Sequence, residues 1–153
     1  MEITNQADFE KIFREICNEV IEDVTLEAFK ELKNIIQDKV YDVYTPKLYE
    51  RLGDSGGLKG AWGNDIVVKK NGSTGIIEYE PDLMIYDPDK AQHGNYKWGD
   101  LRENIAEYIE KGYSRGVGAR PFWDFFVEQV GTELLDIWIR QAFARHGLST
   151  GRE

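Results

Sequence analysis

Cys17 is the only cysteine in this 153-residue chain, which excludes an internal disulfide and a cysteine-based zinc site. It stands between apolar positions of a predicted helix, and a buried, inert thiol is expected there. Long hydrophobic runs are missing as well: none approaches the ~18 apolar residues that a membrane-spanning helix needs. The first residues, Met1-Glu2-Ile3-Thr4-Asn5, carry neither a basic stretch nor an apolar core, so no secretory signal peptide is expected. Positive charge is in short supply, with 19 Lys and Arg against 28 Asp and Glu and a formal net charge of −9. A chain of this sign is poorly suited to gripping DNA by neutralising phosphates. It remains compatible with a surface that DNA slides past without sticking.

Familiar metal-binding and phosphate-binding signatures are absent too. The two histidines, His93 and His146, are far apart, and neither belongs to an H-E-x-x-H pair. His93 reads as a solvated loop residue, and His146 as a cation placed against a helix C-terminus. The glycines between Gly112 and Gly118 match neither a phosphate-cradling Walker loop nor a dinucleotide fingerprint. The acidic run from Glu78 to Lys90 invites comparison with metal-dependent nucleases, whose carboxylates hold Mg²⁺ beside the scissile phosphate. Those enzymes place an acid two residues before the lysine, and here that position is Pro88. A calcium loop starting at Asp87 and Asp89 fails at Ala91, where the next ligand belongs. The stretch is read as a turn-rich surface loop, and no cofactor or metal is expected.

What the chain does contain is strong periodicity. Phe9, Phe13, Ile16, Val20, Val24, Ala28, Leu32, Ile36 and Val40 recur every three or four residues, which predicts a helix over 6–43 with a charged opposite face. A break is conceivable only where Asp23 to Thr25 can cap a second helix. Unbroken, such a helix is roughly 57 Å long at ~1.5 Å per residue. A compact domain of this size is only about 38 Å across, so an apolar stripe along the whole rod asks for a partner. Thr45-Pro46 ends the helix. A β-rich region follows over 58–86: a short strand around Leu58, a hairpin of strands 65–70 and 75–80 turning at Asn71 to Thr74, and a third strand over 83–86. Asp100 is expected to cap a helix over 100–111 that Gly112 closes. Pro121 opens a last helix over 121–146, on which Phe122, Phe125, Phe126, Val130, Leu134, Ile137, Trp138 and Phe143 share one broad face, and residues 148–153 are expected to fray. The pattern predicts one α+β domain over 1–153: a long N-terminal helix and two further helices packed on a small antiparallel β-sheet. Trp62 and Trp98 lie in loops beside glycines, and their spacing leaves internal packing and a partner interface equally open.

Two local patterns carry a family resemblance. One is the exit from the long helix, Tyr44-Thr45-Pro46-Lys47-Leu48-Tyr49-Glu50-Arg51-Leu52-Gly53, which reads P-x-x-Y-x-R-x-G. The other is Gly118-Ala119-Arg120-Pro121-Phe122, opening the last helix behind a short glycine-ended one. With the order of elements around them, these resemble the tail-completion, or head–tail joining, proteins of tailed bacteriophages, small neck and minor capsid proteins. The chain departs from their pattern at Leu52 and in the enlarged loop Asp54-Ser55-Gly56-Gly57. The resemblance implies a structural virion protein without catalytic residues. It implies a homo-oligomeric ring, expected to be hexameric, at the tail top. The ring's partners are then the head connector or adaptor and the tail tube, genomic DNA passes through its lumen without specific binding, and no membrane is involved. Before assembly the protein resides in the host cytoplasm. By motif match Tyr49, Arg51 and Gly53 mark the junction after the long helix, and Arg120, Pro121 and Phe122 anchor the last one. The composition leaves two rivals: an acidic binding or DNA-mimicking regulatory protein, and a metal-dependent nuclease using the Glu78 to Asp89 carboxylates.

Overall fold

Asn5 opens the first helix, its Oδ1 accepting the Asp8 backbone N–H at 3.0 Å and so satisfying one of the donors a helix start leaves unpaired. The computed structural model describes residues 5–43, 56–69, 72–85, 92–93, 96–97, 101–112 and 118–148. Helix α1 runs Gln6–Ile36. The break considered at Asp23 to Thr25 does not occur, because the Thr25 hydroxyl donates to the Ile21 carbonyl at 2.7 Å and is satisfied inside the helix. Past Ile36 the helix widens into a π turn, Gln37–Tyr41, closed by the Asp42 N–H on the Gln37 carbonyl at 2.9 Å. The rod therefore reaches nearly as far as the periodicity predicts, but its last turn is of a different kind.

Strands β1, Trp62–Lys69, and β2, Gly72–Tyr79, form a two-stranded antiparallel sheet. Each is longer than its apolar run, and Ser73 and Thr74 belong to β2 rather than to the turn. The Glu80 N–H donates to the Ala61 carbonyl at 2.7 Å, prolonging the pairing past both strands. Two expected strands do not form among the described residues, and a 3₁₀ turn stands at each or at its start. One is Leu58–Ala61. The other is Pro81–Leu83, where a proline without an N–H starts a turn and the Leu83 and Met84 N–H groups donate back to the Glu80 and Pro81 carbonyls, each at 3.0 Å. A second small pairing lies where a polar loop is expected: β3, Gln92–His93, runs antiparallel to β4, Tyr96–Lys97, with Gln92 opposite Lys97 and His93 opposite Tyr96. The Gly94-Asn95 dipeptide between them was its available signal.

Helix α2 spans Ile105–Lys111, starting after a turn at 102–104 instead of at Leu101, and ends at Gly112 with φ +78°. The predicted last helix forms as α3, Phe122–Gln129, a π turn, Val130–Leu134, and α4, Leu135–Arg145. The chain is thus an α+β protein with a long N-terminal helix, further helices and antiparallel pairing.

Its contacts gather into two compact units. The first comprises Met1–Lys30, Asn64–Ile77 and Glu128–Glu153. Here the Ser73 hydroxyl donates to Asn18 Oδ1, Gly75 lies against Thr25, and Val20, Thr25, Ala28 and Ala142 are buried. The second comprises Glu31–Gly63 and Glu78–Val127. It buries Leu32, Ile35, Ile36, Val40, Leu58, Ala61, Trp62, Phe122 and Phe126, and so holds most of the large apolar side chains buried among the described residues.

Candidate functional site

The Gly118 to Phe122 segment is a junction of the second unit. Its backbone is fixed first: the Arg120 N–H donates to the Ile109 carbonyl at 2.8 Å, which ties it to α2, and the Pro121 carbonyl accepts the Phe125 N–H at 3.1 Å, starting α3. Arg120 Nη1 then donates to the Val40 carbonyl at 3.4 Å. That carbonyl lies in the π turn, where a helix end leaves acceptors without intrahelical donors. Arg120 accordingly joins the exit of α1 to the entry of α3. On the other side of the same turn, Lys59 Nζ donates to Gln37 Oε1 and the Lys59 N–H to the Tyr41 hydroxyl, both at 3.3 Å.

Phe122, only 1 % exposed, turns inward to a group of aromatic rings centred on Trp62. Trp62 meets Phe122 edge-on at 6.2 Å, stacks on Trp123 at 5.2 Å with the planes 9° apart, and touches Tyr79 at 5.2 Å. Phe126 extends the group from Trp123 at 5.2 Å. Offset and edge contacts of this kind add stabilisation beyond the area they bury. The Tyr79 hydroxyl donates to the Arg102 carbonyl, with Met84 Sδ 3.2 Å away. Trp62 Nε1, by contrast, is buried without a hydrogen-bond partner, which costs stability. Trp62, expected in a loop, is instead the first residue of β1, and it packs internally.

The residue that completes this junction is one that spacing did not single out. Glu110, near the end of α2, accepts the Trp123 N–H at 2.8 Å and the Asp124 N–H at 3.1 Å, one on each carboxylate oxygen. It caps α3 from another element and adds negative charge at the positive end of the helix. Glu110→Ala is expected to cost about 1 kcal/mol, measured by chemical denaturation, with Glu110→Gln recovering part of it through its one remaining oxygen.

In the first unit the structure assembles a charged cluster. Arg145 donates to Asp23 Oδ2, with Nε and Nη2 each at 3.0 Å. The His146 ring has Nδ1 2.9 Å from Glu19 Oε2 and Nε2 3.2 Å from Asp23 Oδ2. Glu19 and Asp23 are one helical turn apart and share a face of α1, but nothing in the sequence names the end of α4 as their partner. Burial pushes the Asp23 carboxyl up; the hydrogen bonds of Arg145 and His146, joined by their charges, outweigh it and hold the group below the ordinary 3.8. A carboxyl held low in the folded state contributes stability that is fully present above its unfolded value and is lost as pH falls through the folded one. The stability gap between the wild type and Asp23→Asn is therefore expected to close as pH falls below about 3.8, as read by urea titrations at stepped pH.

Of the other predicted site residues, Pro121 is half-buried at the mouth of α3. Tyr49, Arg51, Gly53 and Trp98 lie outside the described residues, as do Asp87, Asp89 and Asp100. Cys17 is half-buried rather than buried. Among the described residues no group of three or more His, Cys, Asp or Glu side chains could hold a metal ion, and no helix is long and apolar enough to cross a membrane. Both predicted apolar faces are only partly covered. Phe9 and Phe13 on α1 are exposed, as are Leu135 and Ile137 on α4 and Phe125 on α3, the last with Lys39 Nζ 4.2 Å from its ring centre.

No curated protein and no solved structure matches the chain. The model of the YomN family matches residues 5–137, a span that takes in α1, both strand pairings, the Arg120 junction and the start of α4. The chain belongs to the YomN family, a phage-derived family.

Proposed function

We propose that this protein is a structural component of the virion neck, forming a ring at the tail top that joins the tail to the head connector. The observation that carries the reading is the apolar surface left uncovered on a phage-derived chain. Phe9, Phe13, Leu135 and Ile137 are each large, apolar and exposed within the first unit, and apolar surface of this kind marks contact sites when it is contiguous. The two sequence patterns that resemble head–tail joining proteins agree with it, as does the role of Arg120 in locking the start of the last helix. A ring through which DNA passes needs a lumen that is not basic, and the net charge of −9 is of the right sign.

Light scattering coupled to size exclusion tests the assembly. A mass near six copies of the 17.7 kDa chain is expected, alone or once the head connector is added. Phage particles lacking this protein should accumulate unjoined heads and tails, and normally joined particles would defeat the proposal. The protein is also expected to pass through a duplex-DNA column at physiological salt, since weak non-specific binding is the most its charge allows.

A further inference from the structure

We infer that the π turn at the end of α1 is one residue of slack built into the helix: Asp38 is the surplus residue, and the turn can tighten to an ordinary helical turn that lets go of Val40 and Tyr41. At about 100° per residue, with Leu32 as the origin, Ile36 lies near 40°, and an unbroken α-helix would set Val40 near 80° and Tyr41 near 180°. Tyr41 would then stand on the face opposite Leu32. Closing on the fifth residue instead of the fourth advances only about 80° per residue. That returns Val40 to the line of Leu32 and Tyr41 to its flank. Both placements are used: Val40 is buried with Leu32 and Ile36, and the Tyr41 hydroxyl accepts the Lys59 N–H.

A helix without Asp38 reaches the same places with no π turn. In such an α-helix Val40 falls about 20° from Leu32 and Tyr41 about 80° from it. Asp42 becomes the fourth residue after Gln37, so the bond its N–H makes to the Gln37 carbonyl at 2.9 Å turns into an ordinary helical one. Asp38 itself is exposed. The residues after it carry the contacts: Lys39 Nζ stands 4.2 Å from the centre of the Phe125 ring, the Val40 carbonyl accepts from Arg120, and the Tyr41 hydroxyl accepts from Lys59. With Asp38 present the turn has two closures open to it. The wide one keeps these contacts; the narrow one, with the Asp42 N–H on the Asp38 carbonyl, has regular geometry and gives them up. Wide closures are rare and recur at functional sites. The bonds that tie the exit of α1 to the entry of α3 thus rest on an element with two discrete arrangements, which is what a conformational switch requires. The slack lies within the second unit and does not depend on the ring.

The test compares the full chain with one from which Asp38 alone is removed, and with a control from which Asn34 alone is removed. Asn34 is exposed as well, but it precedes the π turn, and its loss rotates Ile35 and Ile36 about 100° against Leu32 and the turns before it. Urea unfolding and amide hydrogen exchange followed by NMR are the readouts. The chain lacking Asp38 is expected to fold with an unchanged unfolding midpoint. Its Tyr41 and Asp42 amides should exchange at least tenfold more slowly than in the wild type, because the narrow closure is then the one that keeps the contacts. The chain lacking Asn34 is expected to lose cooperative unfolding. Failure of the chain lacking Asp38 to fold, equal tolerance of the two removals, or amides at 41 and 42 no better protected than in the wild type would each overturn the inference.

Discussion

Phe122→Ala is expected to lower stability by about 3–5 kcal/mol, the range for emptying a fully buried aromatic site. Phe122 is 1 % exposed, and its ring closes one side of the group formed by Trp62 and Trp123. Collapse into the vacated space is resisted from several directions. Trp62 is held by stacking on Trp123, and the backbone at Arg120 and Pro121 is pinned by hydrogen bonds to Ile109 and Phe125. The cavity therefore stays open, which places the cost toward the upper end of the range. Urea denaturation followed by tryptophan fluorescence measures both effects, because Trp62 itself reports the change in its surroundings. A loss below 1 kcal/mol would mean that Phe122 does not anchor α3.

The second large effect comes from adding atoms. A Cβ at Gly75 would overlap Thr25 Oγ1 and stand 2.9 Å from the Thr25 Cβ. Thr25 is buried, and its hydroxyl is committed to the Ile21 carbonyl, so it has little room to turn aside. Gly75→Val is expected to cost about 3 kcal/mol, the upper part of the usual overpacking range, because β2 must lift from α1 to admit the side chain. Gly63→Ala is the control. There the obstruction is the end of the Glu80 side chain, which is exposed and can swing away, and a change of only a few tenths of a kcal/mol is expected. Thr25→Ala combined with Gly75→Ala should recover part of the loss of Gly75→Ala alone, a coupling that a double-mutant cycle reads directly. Full additivity of the two changes would show that β2 and α1 do not meet at this point.

The elements that were easiest to read from the chain are those with a long period. Helix α1 was legible because an apolar residue returns every three or four positions for some thirty residues, and the hairpin because two β-branched runs flank Asn71-Gly72. The glycine that ends α2 and the proline that precedes α3 were legible from backbone chemistry alone. The misreadings fall where local signals compete. Leu83-Met84-Ile85 has strand composition, yet Leu83 is taken into the 3₁₀ turn that starts at the proline, and the extended Met84 after it joins no strand. Both π turns were invisible, since the i to i+5 bonds of Asp42 and Leu135 leave no trace in residue type. At the candidate site, Trp62, Arg120, Pro121 and Phe122 were singled out from neighbouring glycines and motif, whereas Glu110 looked like any surface glutamate until its bonds to the start of α3 were in view.

By itself, then, the sequence determined the α+β class, the long helix, the hairpin, the start and end of the last helical stretch, and a charge balance poorly suited to gripping nucleic acid. These follow from periodicity, from the φ preferences of glycine and proline, and from summed charge, all of which are local or compositional. Only the tertiary structure decided which parts of each apolar face are covered. It buried Leu32, Ile36 and Phe122 while leaving Phe9, Phe13 and Ile137 exposed. It also paired Asp23 with Arg145 and His146 across more than a hundred residues, and it set Gly75 against Thr25. The reason is that burial and pairing belong to two surfaces at once: a stripe of apolar residues states that a face can be buried, and only the element that arrives, or fails to arrive, determines whether it is.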